Sequence, residues 1–66
     1  MTGHELKAIR QSLRLTARQF ALELGYKGNN NTNCVLIYQM EKGQKPIPDA
    51  RAYEARLLLL TNAYQK

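Results

Sequence analysis

Two capping boxes set two helix starts within the first 19 residues of this chain. Thr2-Gly3-His4-Glu5 and Thr16-Ala17-Arg18-Gln19 each place a hydroxyl three residues ahead of a Glu or Gln. The threonine oxygen accepts an N–H of the first turn, and the longer side chain reaches back to the threonine N–H. Behind the first box Leu6, Ile9 and Leu13 fall at i, i+3 and i+7, on one helical face. Behind the second, Phe20, Ala21 and Leu24 form the apolar stripe, and Gly25 stands where a stop residue belongs.

The stretch 27–33 carries no apolar side chain and reads as a turn or a helix entrance, which Asn30, Asn31 or Thr32 can cap. A third helix is expected over 35–42, with Leu36, Ile37 and Met40 facing inward and Gly43 as its stop. Pro46-Ile47-Pro48-Asp49 prepares a fourth, over about 48–64, because Pro suits the first turn and Asp the positive end of the helix dipole. Tyr53, Leu57, Leu60 and Tyr64, at i, i+4, i+7 and i+11, are its expected core face. No repeat or linker divides the sequence. The expectation is one all-α domain over 1–66, a bundle of four or five short helices.

A chain of 66 residues buries only about 60% of the surface its unfolded form exposes, which leaves little room for an internal active-site cavity. No paired carboxylates in a plausible cleft, no Ser-His-Asp set and no phosphate-cradling Gly loop can be found, so an enzyme is not expected. Cys34 is the only cysteine and His4 the only histidine. They allow neither an internal disulfide nor a structural zinc site, and a reducing bacterial cytosol suits them best. No cofactor or small-molecule ligand is expected. Ten Lys and Arg against five Asp and Glu leave a net charge of +5, which favours a polyanionic partner: nucleic acid or an anionic membrane surface. The densest apolar run, 57–60, falls far short of the roughly 20 residues of a membrane span, and no signal peptide is evident. Nucleic acid is the expected partner.

Two short helices joined at Gly25, the second entered through polar residues, suit the reading of duplex DNA. One helix lies across the backbone and the next enters the major groove, where asparagine and glutamine amides match adenine edges. A basic surround supplies the phosphate contacts.

The run Leu15-Thr16-Ala17-Arg18-Gln19-Phe20-Ala21, continued by Leu24-Gly25-Tyr26, resembles the second helix and turn of the Cro/CI-type phage repressors. Ile37-Tyr38-Gln39-Met40-Glu41-Lys42-Gly43, followed by Pro46-Ile47-Pro48, resembles the end of their recognition helix and the loop after it. The likeness spans about residues 4–60. It implies a lambda-repressor-like helix-turn-helix domain, with the unit at about 16–42, and an Arg10–Glu41 structural pair. Three departures stand out. Ala17 replaces the glutamine that often contacts a phosphate, Met40 replaces a core tryptophan or leucine, and the interval from Gly25 to Glu41 is about six residues longer than usual. Either the turn is expanded or the third helix starts earlier, near Asn30.

On this reading Asn31, Thr32, Asn33, Val35, Tyr38 and Gln39 are the base-reading candidates. Val35 suits a thymine methyl group and Gln39 an adenine; Tyr38 serves equally as a phosphate contact or a packing residue. Thr16, Arg18, Lys27, Lys42, Gln44 and Lys45 are the phosphate candidates. Leu58, Leu59 and Ala63, left over from the expected core face of the last helix, are the expected surface of a two-fold homodimer. The expected function is a sequence-specific repressor of an inverted-repeat operator, of the phage or mobile-element type. It suits regulation of its own operon or a place beside anti-CRISPR genes. The competing reading is a protein-interaction module of the same fold, or an antitoxin-type partner.

Overall fold

Each of the first three helices begins on a side-chain cap and ends in the same backbone turn. The structure, a computed structural model, describes residues 1–64 apart from the side chains of Asn30, Ala63 and Tyr64. Helix α1 spans Gly3–Ser12, α2 Ala17–Glu23, α3 Asn30–Glu41 and α4 Asp49–Tyr64. No strand occurs among the described residues. Both capping boxes form: the Thr2 and Thr16 hydroxyl oxygens accept the Glu5 and Gln19 N–H groups at 3.1 Å.

At the other ends the N–H groups of Arg14, Gly25 and Gly43 donate to the carbonyls of Gln11, Leu22 and Met40. Those of Leu15, Tyr26 and Gln44 reach one residue further back, to Arg10, Ala21 and Gln39. This paired pattern needs one left-handed residue. Gly25 (φ 95°) and Gly43 (φ 79°) supply it for α2 and α3; at α1 the position falls to Arg14, with φ 57°.

The third helix begins at Asn30, five residues before the 35–42 segment marked by apolar periodicity and at the earlier start that the long interval after Gly25 left open. Its cap is Asn29, rather than Asn30, Asn31 or Thr32: the Asn29 side-chain oxygen accepts from the Asn31 N–H at 2.8 Å and from the Thr32 N–H at 3.4 Å. The long interval after Gly25 is therefore taken up by extra helix. Polar residues hid this helical turn, because periodicity is read from apolar side chains.

The core joins Leu6 and Ile9 of α1, Ala17, Phe20, Ala21 and Leu24 around α2, Ile37 and Met40 of α3, and Ala55 of α4. Leu13 and Leu36 pack at its margin. Helix α3 lies against both α2 and α1, and α4 packs on α1. Contact between α1 and the end of α3 is so close that a Cβ on Gly3 would collide with the carbonyl oxygens of Met40 and Glu41.

The inward face of α4 is not the expected one. Ala52 and Ala55 are buried and Leu58 packs against the core, whereas Tyr53 and Leu60 are 63% and 58% exposed and Leu57 is also exposed. The Tyr64 side chain lies outside the described residues. Small residues let α4 approach closely, and Arg51 ties it to the end of α2. The Arg51 Nη1 donates to the Leu24 carbonyl at 2.6 Å, and its guanidinium lies 4.4 Å from the Tyr26 ring centroid. That contact caps the end of α2 beside the buried Ala52.

Candidate nucleic-acid interface

Helix α3 has three walls, and each holds a different part of the site. Its inner wall is Asn33, Ile37 and Met40. Its outer wall presents Asn31, Thr32, Val35 and Gln39, which with Leu36 and Lys45 line a shallow cleft of about 470 Å³. Its third wall turns Tyr38, Glu41 and Lys42 toward Lys7 and Arg10 of α1.

Four of the six base-reading candidates thus share one cleft, and two do not. Asn33 is only 6% exposed. It lies one turn before Ile37 on the same helical face, so the early start of α3 carries it into the core. Its Nδ2 has no hydrogen-bond partner among the described residues. Tyr38 is exposed but belongs to the α1 side, with the Arg10 guanidinium 5.9 Å from its ring centroid.

The phosphate candidates border this surface. Thr16 accepts the Gln19 N–H through Oγ1, which leaves its own O–H free to donate outward. Arg18 is exposed on the first turn of α2, and Lys27 is exposed between α2 and α3. Lys42 is the C-cap of α3. Gln44 and Lys45 are exposed, and their N–H groups both donate to the Gln39 carbonyl, at 2.8 and 3.3 Å. These bonds hold Lys45 at the rim of the outer cleft.

The expected structural pair is present. Arg10 Nε donates to Glu41 Oε2 at 2.7 Å and Nη2 to Oε1 at 3.2 Å, while Nη1 donates to the Leu15 carbonyl at 3.2 Å. The pair is largely shielded, with side-chain exposures of 14% and 5%. The hydrogen bond to Glu41 raises the Arg10 pKa further above its ordinary value. Between Glu23 and Asp49 the only acid in the sequence is Glu41. Arg10 neutralises it, so α3 and the loops on either side of it carry no unpaired acid.

The expected association surface needs correction. Leu58 belongs to the core margin, and the Ala63 side chain lies outside the described residues. Leu59 is exposed, as expected, and Tyr53, Leu57 and Leu60 form an exposed stripe beside it. Sequence reading passed over Lys7, whose place beside Lys42 appears only once α1 is packed on α3, and over Arg51. The i, i+3 spacing of Lys7 and Arg10 puts both on one face of α1, which is the signal the sequence offers.

No helix among the described residues is long and apolar enough to cross a membrane. Compared with family models, curated proteins and solved structures, the chain matches none.

Proposed function

We propose that this chain binds double-stranded DNA through the outer face of α3 and represses transcription from the site it occupies. The observation that carries this reading is the outer cleft: Asn31, Thr32, Val35 and Gln39 side by side, with Lys45 at its rim and no unpaired acid on α3. Amides, a hydroxyl and a small apolar group are the means by which a helix distinguishes base edges. The helix has 12 residues, about 18 Å, enough to lie within a major groove about 12 Å wide. In this reading α2 and α3 act as a helix-turn-helix pair, as in the Cro/CI-type repressors that their motifs resemble. Thr16, Arg18, Lys27, Lys42, Gln44 and Lys45 hold the phosphates on either side. The Arg10–Glu41 pair sets the position of α3 relative to α1.

An inverted-repeat operator calls for two copies related by a two-fold axis. The exposed stripe of Tyr53, Leu57 and Leu60 on α4 is the surface we assign to that association. The same stripe favours a second reading, in which the domain is a protein-interaction module or an antitoxin-type partner.

Binding to a labelled duplex of mixed sequence, followed across salt concentrations, separates the two. Arg18, Lys27, Lys42 and Lys45 together give an expected slope of log affinity against log salt of roughly −4 per protomer. A flat salt dependence, or no duplex binding, favours the interaction module.

A further inference from the structure

A second cleft, between α1 and the C-terminal half of α3, gathers cations on the opposite flank of α3 from Lys45. Its volume is about 380 Å³ and its walls are Lys7, Arg10, Tyr38, Glu41 and Lys42. Lys7 and Arg10 stand at i, i+3 on α1, and Tyr38 and Lys42 at i, i+4 on α3, so each pair shares a helical face. An isolated Glu41 would repel any anion here, but its carboxylate is closed by the two-point bond to Arg10. What remains is the charge of Lys7 and Lys42. Both residues are exposed, and neither is in an ion pair among the described residues.

We propose that this cleft seats one phosphodiester of the DNA backbone, with Lys7 and Lys42 as its charge contacts and the Tyr38 ring as the wall against the attached sugar. The inference rests on the DNA reading of α3, adds Lys7 to the backbone contacts and assigns Tyr38, from its two sequence readings, to the backbone. Three observations carry it. The net charge of the cleft is positive once the Arg10–Glu41 pair is cancelled. Its volume of about 380 Å³ leaves room for a phosphate together with its attached sugar. A helix in the major groove also has a sugar-phosphate strand on each flank. With the outer cleft toward the base edges, Lys45 at its rim borders one strand, and Lys7, Tyr38 and Lys42 border the other. The Arg10 guanidinium lies 5.9 Å from the Tyr38 ring centroid, which places the ring beside the ion pair at the edge of the cleft.

The test compares salt slopes of duplex binding for the wild type, Lys7→Gln, Lys42→Gln and Arg56→Gln. Arg56→Gln removes the same charge from the exposed surface of α4, outside the cleft. Lys7→Gln and Lys42→Gln are each expected to reduce the slope by about 0.9 and to weaken matched and random duplexes alike. Arg56→Gln is expected to leave the slope unchanged. A Lys7→Gln slope equal to that of Arg56→Gln and of the wild type overturns the inference while leaving the DNA reading standing. If the Lys7→Gln slope stays at the wild-type value while inorganic phosphate or a mononucleotide shifts the Lys7 and Tyr38 amide resonances, the cleft belongs to a free phosphate and the backbone assignment falls. A wild type that binds no duplex overturns the DNA reading and this inference together.

Discussion

Arg10 and Glu41 stand 31 residues apart in sequence and meet in a two-point ion pair at 2.7 and 3.2 Å, sheltered between α1 and the last turn of α3. Removing one partner strands the other charge where water reaches it poorly. Glu41→Leu is therefore expected to cost about 3 kcal/mol, and the double variant Arg10→Met/Glu41→Leu to recover most of that loss. Urea unfolding at equilibrium measures both. A loss below about 1 kcal/mol for the single variant would show a solvated, dispensable pair. Because the Arg10 pKa is raised, its contribution persists at any pH below that raised value. The cation therefore adds no pH dependence near neutrality.

Three helix ends share one turn geometry, and only one of them lacks glycine. Arg14, at φ 57°, bears a left-handed strain that Gly25 and Gly43 avoid. Arg14→Gly is expected to raise stability by about 1 kcal/mol. Gly25→Ala is expected to lower it by more than that, since the new Cβ adds a 2.9 Å approach to Arg51 Nη1 to the same strain. Thermal unfolding of the two variants against the wild type tests both signs.

The signals that made this fold legible were local and polar: the two capping boxes, the two stop glycines and the Pro-Asp start of α4 all appear where the residues indicated. What the sequence hid depends on packing. Asn29 to Thr32 carry no apolar marker, so periodicity does not show the first turn of α3, and Asn33, whose amide and place at the helix entrance suit base reading, is a core residue. In α4, large side chains suggested the buried face, but alanines at 52 and 55 allow close approach of two helices and Arg51 bonds the end of α2. Lys7 illustrates the same limit, since its role depends on a neighbour 35 positions along the chain.

The three walls of α3 make different demands on substitution. Gln39→Ala is expected to weaken binding mainly to the matched operator, by about 1–3 kcal/mol, whereas Lys45→Ala weakens all duplexes alike. Asn33→Leu fills the core without an orphaned amide, so it is expected to raise stability by about 1 kcal/mol and leave the sequence preference intact. Anisotropy titrations on matched and random duplexes, paired with thermal unfolding, check all three. A loss of operator preference in Asn33→Leu would return Asn33 to the reading face.

Adjacent leucines of α4 should behave in opposite ways. Leu57→Glu with Leu60→Glu is expected to abolish self-association and to change monomer stability by no more than about 0.5 kcal/mol. Leu58→Glu puts a carboxylate against the core and is expected to cost about 2 kcal/mol or more. Sedimentation equilibrium and thermal unfolding distinguish these outcomes. A Leu57→Glu/Leu60→Glu variant that still dimerises would move the interface off this stripe.

The central claim, that the outer face of α3 reads duplex sequence, is tested most directly by selecting bound duplexes from a random pool with the wild type and with Gln39→Ala. The expected result is an inverted repeat bound by the wild type about a thousandfold more tightly than random DNA. In the Gln39→Ala selection, symmetric positions of that repeat should lose their base preference. A wild-type pool that converges on no sequence would contradict the claim.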